Sequence, residues 1–78
     1  MLHVASDGSH WQFVIGSDVN RDGLYLEVQD PDGGFAFEIF RSDRAKTTTF
    51  SAFQEDIPIE IVEAAVAYAR PRFWTFED

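Results

Sequence analysis

The chain contains no cysteine, so neither disulfide bonds nor thiolate chemistry can contribute to its stability or activity. It also has no apolar run close to the roughly 20 residues that a membrane-spanning helix needs. Its start, Met1 to Val4, has neither basic residues nor a long apolar segment, so we expect no secretory signal peptide. These absences together predict a cytoplasmic protein.

Basic residues are scarce, because only 6 Lys and Arg side chains stand against 14 Asp and Glu, for a net charge of −8. Such a balance argues against binding to nucleic-acid phosphates and to anionic membranes. It is typical of a highly soluble protein or of one whose partner has a basic surface. The length of 78 residues leaves room for one domain, which we assign to 1–78 with an aromatic tail at 71–78.

Catalytic and metal-binding motifs are also missing. No serine lies in a GxSxG context, and no glycine-rich phosphate loop occurs. The two histidines, His3 and His10, lack the spacing to other ligands that zinc sites show. We therefore predict that the protein is not an enzyme, and that it uses no metal and no cofactor.

One segment, 18–23, matches the opening of a calcium loop, with side-chain oxygens at the first, third and fifth positions and glycine at the sixth. The twelfth position, where a bidentate Glu should complete the coordination, is Gln29. The flanking residues have strand patterns, whereas an EF-hand needs helices. We interpret this segment as a tight turn.

Aromatic residues are abundant, with 8 Phe, 2 Trp and 2 Tyr, and each can bury roughly 150–250 Å² in a small core. Apolar and polar residues alternate in several stretches, which is the pattern of strands with one buried face. A further stretch rich in Thr and Phe also suits a strand. The predicted strands are 10–15, 24–29, 35–40 and 46–53, and Leu2 to Ala5 is a candidate for a fifth.

The central hairpin turns at 30–33, where Asp, Pro and Gly occupy the positions that a type I turn prefers. We expect this turn to pair Val28 with Phe35. A two-residue loop one position further along would instead set Glu27 opposite Glu38, which is unfavourable. We place both glutamates on the solvent side, and interpret them as solvated carboxylates without an acid–base role.

The pattern changes to a helical period after residue 57. Pro58 suits the first position of a helix, and Asp56 and Glu60 lie where the helix dipole favours negative charge. We predict a helix at 58–70 that ends at Pro71. Its Ile61, Val62, Ala65 and Val66 should pack on Trp11, Phe13, Leu26, Phe37 and Phe50. The predicted fold is α+β: a four- or five-stranded antiparallel β-meander with one C-terminal α-helix packed across one face.

Topology adds one expectation about charge. Alternate turns of an up-and-down meander lie at the same end of the sheet, and five acidic residues would then share one end. Turn chemistry by itself also favours Asp at such positions. The functional interpretation is a docking surface for a basic protein partner. The candidate partner-binding residues are Asp7, Asp30, Asp32, Glu55 and Asp56.

A second expectation concerns the sheet face opposite the helix. Aromatic residues of the strands should point there, and the tail supplies more aromatics than a loose chain end normally carries. Either the tail covers this face or a second copy does. The self-association hypothesis is a homodimer through Tyr25, Phe40, Phe53, Trp74 and Phe76.

The function predicted from these features is a non-enzymatic, small acidic protein-interaction module. It would bind a basic protein partner, as an inhibitor or immunity-type protein does. Two alternatives stay open: a small-molecule or ion-binding domain, and a self-associating structural domain.

Overall fold

A computed structural model describes residues 1–73 and shows an antiparallel sheet covered on one face by a helix. The strands follow the chain in the order β1-β2-β3-β4-β5, and every neighbouring pair is antiparallel. The α+β class, the meander, the candidate first strand and the C-terminal helix are all confirmed. The elements are β1 (Leu2–Val4), β2 (His10–Asp18), β3 (Gly23–Gln29), β4 (Phe35–Ser42), β5 (Thr47–Ala52) and α1 (Ile59–Phe73).

The core lies between α1 and the middle of the sheet. The buried helix residues recur every four positions and form one stripe: Ile61, Ala65, Ala69 and Phe73. Val62 and Val66 flank this stripe and pack against the core as predicted, although they are only partly buried. The sheet contributes mainly Trp11, Phe13, Leu26, Val28, Phe37 and Ile39.

Phe50 was expected in this core but is 50% exposed, because it lies on the edge strand β5. Its ring still contacts that of Phe37 on the helix side of the sheet, with the ring centroids 5.2 Å apart. The sequence therefore predicted the correct sheet face for Phe50 but not its degree of burial. No strand follows β5 among the described residues to cover it.

The helix does not end at Pro71, as the sequence predicted, but continues to Phe73. Pro71 lies in the last turn, where its missing N–H removes a single intrahelical hydrogen bond. The continuation brings Phe73 into the core, where it is fully buried. Arg72 supports the same turn, since its Nη1 donates to the Tyr68 carbonyl oxygen at 2.6 Å. Phe73 is thus a core residue, although the sequence placed it in the tail.

The turn at 30–33 forms as predicted, with the Gly33 N–H donating to the Asp30 oxygen at 2.9 Å. The strand register that the sequence predicted is nevertheless wrong. Gly33 has φ +87°, and the Asp30 N–H donates to the Gly34 oxygen at 2.8 Å, which makes a three-residue loop. A bulge beyond the loop adds a further residue to β4, so that Glu27 faces Glu38.

The observed register differs from the predicted one by two residues. Val28 pairs with Phe37, two positions further along than the expected partner Phe35. Side chains alternate between faces with a period of two, so a shift of two leaves every residue from Phe37 onward on the same face, and only Phe35, before the bulge, moves to the other. The hydrophobic pattern therefore could not choose between the two registers.

We predict that Phe73→Ala lowers the free energy of unfolding by about 3–4 kcal/mol, because it removes a fully buried aromatic ring from the core. Ile59→Ala, at a position that is 70% exposed in the same helix, is the matched control and should change it by less than about 0.5 kcal/mol. Urea denaturation of the three proteins measures the difference. Equal effects of the two substitutions would contradict the placement of Phe73 in the core.

Candidate functional site

The acidic residues singled out in the sequence do share one end of the molecule. The β1–β2 turn, the β3–β4 turn and the β5–α1 connection all lie at this end, because consecutive strands alternate in direction. We call Asp7, Asp30, Asp32, Glu55 and Asp56 the acidic end. Two contacts fasten its parts together: Gln54 Nε2 donates to Asp30 Oδ2 at 2.7 Å, and Ser6 Oγ donates to Glu60 Oε1 at 2.9 Å.

Basic residues lie away from the acidic end. All 6 of them fall within the described part of the chain, in the β2–β3 turn, the second half of β4, the β4–β5 turn and the last turn of α1. The first three of these segments are at the opposite end of the sheet, and the last turn of α1 lies over the sheet, where Tyr68 contacts Phe13. The sheet is therefore electrically polar along the strand direction, and no Lys or Arg lies in the turns and the connection, all within residues 1–73, that form the acidic end.

Two of the acidic-end carboxylates hold their own turns in shape. Asp7 Oδ1 accepts hydrogen bonds from the Ser9 N–H at 2.9 Å and the Ser9 hydroxyl at 2.6 Å, and these bonds lower the pKa of Asp7. Asp30 accepts from Gln54, from the Gly34 N–H and from the Asp32 N–H, and these bonds, led by that of Gln54, lower the pKa of Asp30. Turn chemistry accounts for both residues.

The other three carboxylates, those of Asp32, Glu55 and Asp56, are exposed and have no hydrogen-bond or ion-pair partner within residues 1–73. They are therefore available to an ammonium or guanidinium group from another molecule. The sequence grouped all five acidic residues but could not separate the structural pair from the available three. The hydrogen bonds that Asp7 and Asp30 accept, from backbone N–H groups and from the Ser9 and Gln54 side chains, distinguish them.

The sheet face opposite α1, here called the outer face, holds a site that the sequence did not reveal. Arg21 reaches over it from the β2–β3 turn, and its Nη1 and Nη2 donate to the two carboxylate oxygens of Glu38, each at 2.9 Å. Its Nε donates to Asp18 Oδ2 at 2.6 Å, and its Cζ lies 4.0 Å from the centroid of the Phe40 ring. These two carboxylates raise the pKa of Arg21.

Glu38 is buried beneath this arginine, with a side chain only 11% exposed. The interpretation of Glu38 as an ordinary solvated carboxylate is therefore wrong. Glu27 lies directly opposite it on β3, a like-charge pairing that is unfavourable by itself. The bidentate contact with Arg21 supplies the opposite charge that lets Glu38 occupy this position.

Tyr25 and Phe40 lie on the outer face as predicted, but both are only partly exposed. The Tyr25 ring covers Gly16 so closely that a side chain there would collide with it, and a side chain at Gly23 would collide first with the Arg41 carbonyl oxygen and then with the Phe40 ring. A glycine in a strand beside an aromatic residue is a signal that could have indicated this packing.

The exposed aromatics of this face are found nearer its rim, at Phe35 and Phe53, which are 55% and 60% exposed. Of the three described residues in the self-association hypothesis, Tyr25, Phe40 and Phe53, it is Phe53 that has the most accessible surface. Trp74 and Phe76 lie outside the described residues. The hypothesis itself stays a prediction.

The segment that resembles a calcium loop is a hydrogen-bonded turn in the structure. Asp18 Oδ1 accepts from the backbone N–H groups of Asn20 and Arg21, each at 3.1 Å. Its bonds to Arg21, with the side-chain bond the strongest, lower the pKa of Asp18. Within residues 1–73 the structure shows no cluster of three potential metal-ligand side chains and no pocket, and no helix there could cross a membrane.

Comparison with known proteins adds no relationship to this description. No protein-family model matches the chain, and neither the curated proteins nor the solved structures give a significant match.

We predict that millimolar calcium leaves the melting temperature unchanged, because the Asp18 carboxylate is already engaged by Arg21 and Gln29 cannot supply a bidentate ligand. Thermal denaturation with calcium, and with magnesium as the control, measures this. A rise specific to calcium that Asp18→Asn abolishes would show that the turn is a metal site.

We predict that Arg21→Ala destabilises the protein by about 1–3 kcal/mol, because it leaves the buried Glu38 carboxylate beside Glu27 without a cation. The same change made in an E38Q background should cost much less. Denaturant unfolding of the four proteins in this double-mutant cycle measures the coupling. Additive effects of the two substitutions would contradict the role given to the pair.

Proposed function

We propose that the protein is a non-enzymatic interaction module whose acidic end binds a basic surface on a protein partner. The observation that carries this proposal is the group of three exposed carboxylates, Asp32, Glu55 and Asp56, at an end without basic residues. Local turn chemistry explains Asp7 and Asp30, but it gives these three carboxylates no partner within residues 1–73.

Such an acidic end would affect both the rate at which a basic partner associates and the strength of the bound complex. A concentrated negative field steers a basic partner and raises the association rate, most strongly at low ionic strength. The hydrogen bond between Gln54 and Asp30 also fastens the β3–β4 turn to the segment after β5. The two segments that carry the three carboxylates are thus held beside each other before binding, which limits the entropy lost on association.

An inhibitor or immunity-type role is the specific form of this proposal. A protein that covers a basic surface denies that surface to the partner's own anionic ligand. Among the alternatives, small-molecule and ion binding receive no specific support from the geometry. Self-association receives some from the exposed Phe35 and Phe53.

The test compares two variants with the same change in net charge. D32N/D56N removes two charges from the acidic end, and D22N/D43N removes two from the opposite end. The pairs are matched in backbone as well, because Asp56 and Asp22 have φ values of 55° and 54°, which asparagine tolerates.

We expect D32N/D56N to weaken binding of a fluorescent Lys- and Arg-rich peptide by about 3- to 10-fold at low salt, since each lost exposed pair is worth up to about 1 kcal/mol. D22N/D43N should weaken it by less than about 2-fold. Fluorescence anisotropy measures both. Equal losses would show that only net charge matters and would contradict the proposal.

The same variants then identify the partner. Capture from the source cells, compared by quantitative mass spectrometry, should yield a basic protein that the wild type and D22N/D43N retain and D32N/D56N loses. Inhibition is then assayed on that protein. Retention of the same basic proteins by all three baits would count against the acidic end as the binding surface.

A further inference from the structure

Within residues 1–73, the strand β5 forms an edge of the sheet without the usual protection. Among these residues it pairs with β4 alone, and it contains neither proline nor a charged residue. Natural edge strands are usually shortened, charged, bulged or covered to prevent pairing with another chain. The opposite edge, β1, follows this practice with only 3 residues, whereas β5 has 6.

The alternation of hydrogen bonds between β4 and β5 shows which backbone groups of this edge point outward. The Phe53 N–H donates to the Ala36 oxygen at 2.8 Å, immediately beyond the regular β4–β5 ladder. Bonding alternates along an antiparallel pair, so the groups of every second residue face away from β4. Thr48, Phe50 and Ala52 therefore present their N–H and C=O groups at the free edge.

Apolar side chains flank this free backbone on both faces of the sheet. Phe50 lies on the helix side and is 50% exposed, and Phe53 lies on the outer face and is 60% exposed. A strand added to β5 would gain backbone hydrogen bonds together with apolar contacts above and below. This combination is what strand addition to a sheet edge requires.

We propose that β5 pairs antiparallel with β5 of a second copy, about a two-fold axis beside Phe50, so that the two sheets become continuous. This register places Thr48 beside the partner's Ala52 and uses all three outward-facing residues of each strand. About six backbone hydrogen bonds then join the copies. The strand contact is short, so the dimer is expected to have a dissociation constant in the roughly micromolar range.

Charge identifies a second copy as the occupant and fixes the direction. Arg44 and Lys46 precede β5, and Glu55 and Asp56 follow it. Antiparallel pairing brings the basic start of each strand to the acidic finish of the other, twice in the two-fold dimer. Parallel pairing would bring like charges together. The inference does not rest on the proposed function, because it is argued from the free backbone edge of β5, although Glu55 and Asp56 also belong to the acidic end.

The first experiment is sedimentation velocity over a concentration series, with proline introduced at an outward-facing position. Ala52→Pro removes an N–H that β4 does not use, and it should weaken the dimer at least about tenfold. Val4→Pro is the matched control on the other edge, where the bonded neighbour Ala5 leaves the Val4 N–H facing outward. This control should leave the dissociation constant within about 2-fold of that of the wild type.

The second experiment exchanges charges without touching β5, and it keeps the proposal testable if the proline variant fails to fold. R44E should weaken the dimer by about 3- to 10-fold, and R44E/E55R should restore it. Positions 44 and 55 lie beyond opposite ends of β5 in one chain, so restoration can only arise between chains. Failure of the double variant to restore dimerisation would overturn the antiparallel arrangement.

Amide hydrogen exchange supplies the position of the interface. Thr49 and Ser51 should be protected at every concentration, since their groups bond to β4, while Thr48, Phe50 and Ala52 should become protected only as the dimer forms. A monomer up to about 1 mM would overturn the proposal. So would a dimer without this alternating protection, which would instead indicate the outer face or the tail.

Discussion

The bidentate contact between Arg21 and Glu38 is the interaction on which the outer face of the sheet depends. The register of the central hairpin sets Glu38 opposite Glu27 and buries it beneath the β2–β3 turn. A buried carboxylate beside a second one is costly unless a cation with matched geometry is present. Arg21 provides that cation with two parallel hydrogen bonds, and Asp18 fixes its orientation through Nε.

This contact also explains how a sheet with one helix deals with its second face. The guanidinium of Arg21 lies over the Phe40 ring, while Tyr25 and Phe40 fill the space above Gly16 and Gly23. The β2–β3 turn and the rings of Tyr25 and Phe40 thus cover part of the outer face, as α1 covers the inner face. The accessible apolar surface is left at the rim of the sheet and at the free edge of β5.

The polarity of charge along the strands supports both of our proposals, which share Glu55 and Asp56 but differ in the rest of the surface they use. At the acidic end, turn geometry engages some carboxylates and leaves others exposed, which suits a basic partner. Beside β5, the same polarity makes antiparallel self-pairing complementary and parallel pairing repulsive. A meander produces this arrangement whenever consecutive turns carry opposite charge, because consecutive turns lie at opposite ends.

The sequence by itself determined the elements, their order and the membership of the acidic end, because periods of two and of about 3.6 and the chemistry of turns are local. Tertiary structure alone decided the register that opposes Glu27 and Glu38, since a shift of two residues keeps the side chains beyond the bulge on their predicted faces. It also decided that Phe73 is a core residue and that Asp30 is engaged while Asp32 is free. Each of these depends on contacts between residues distant in the chain, which no local pattern encodes.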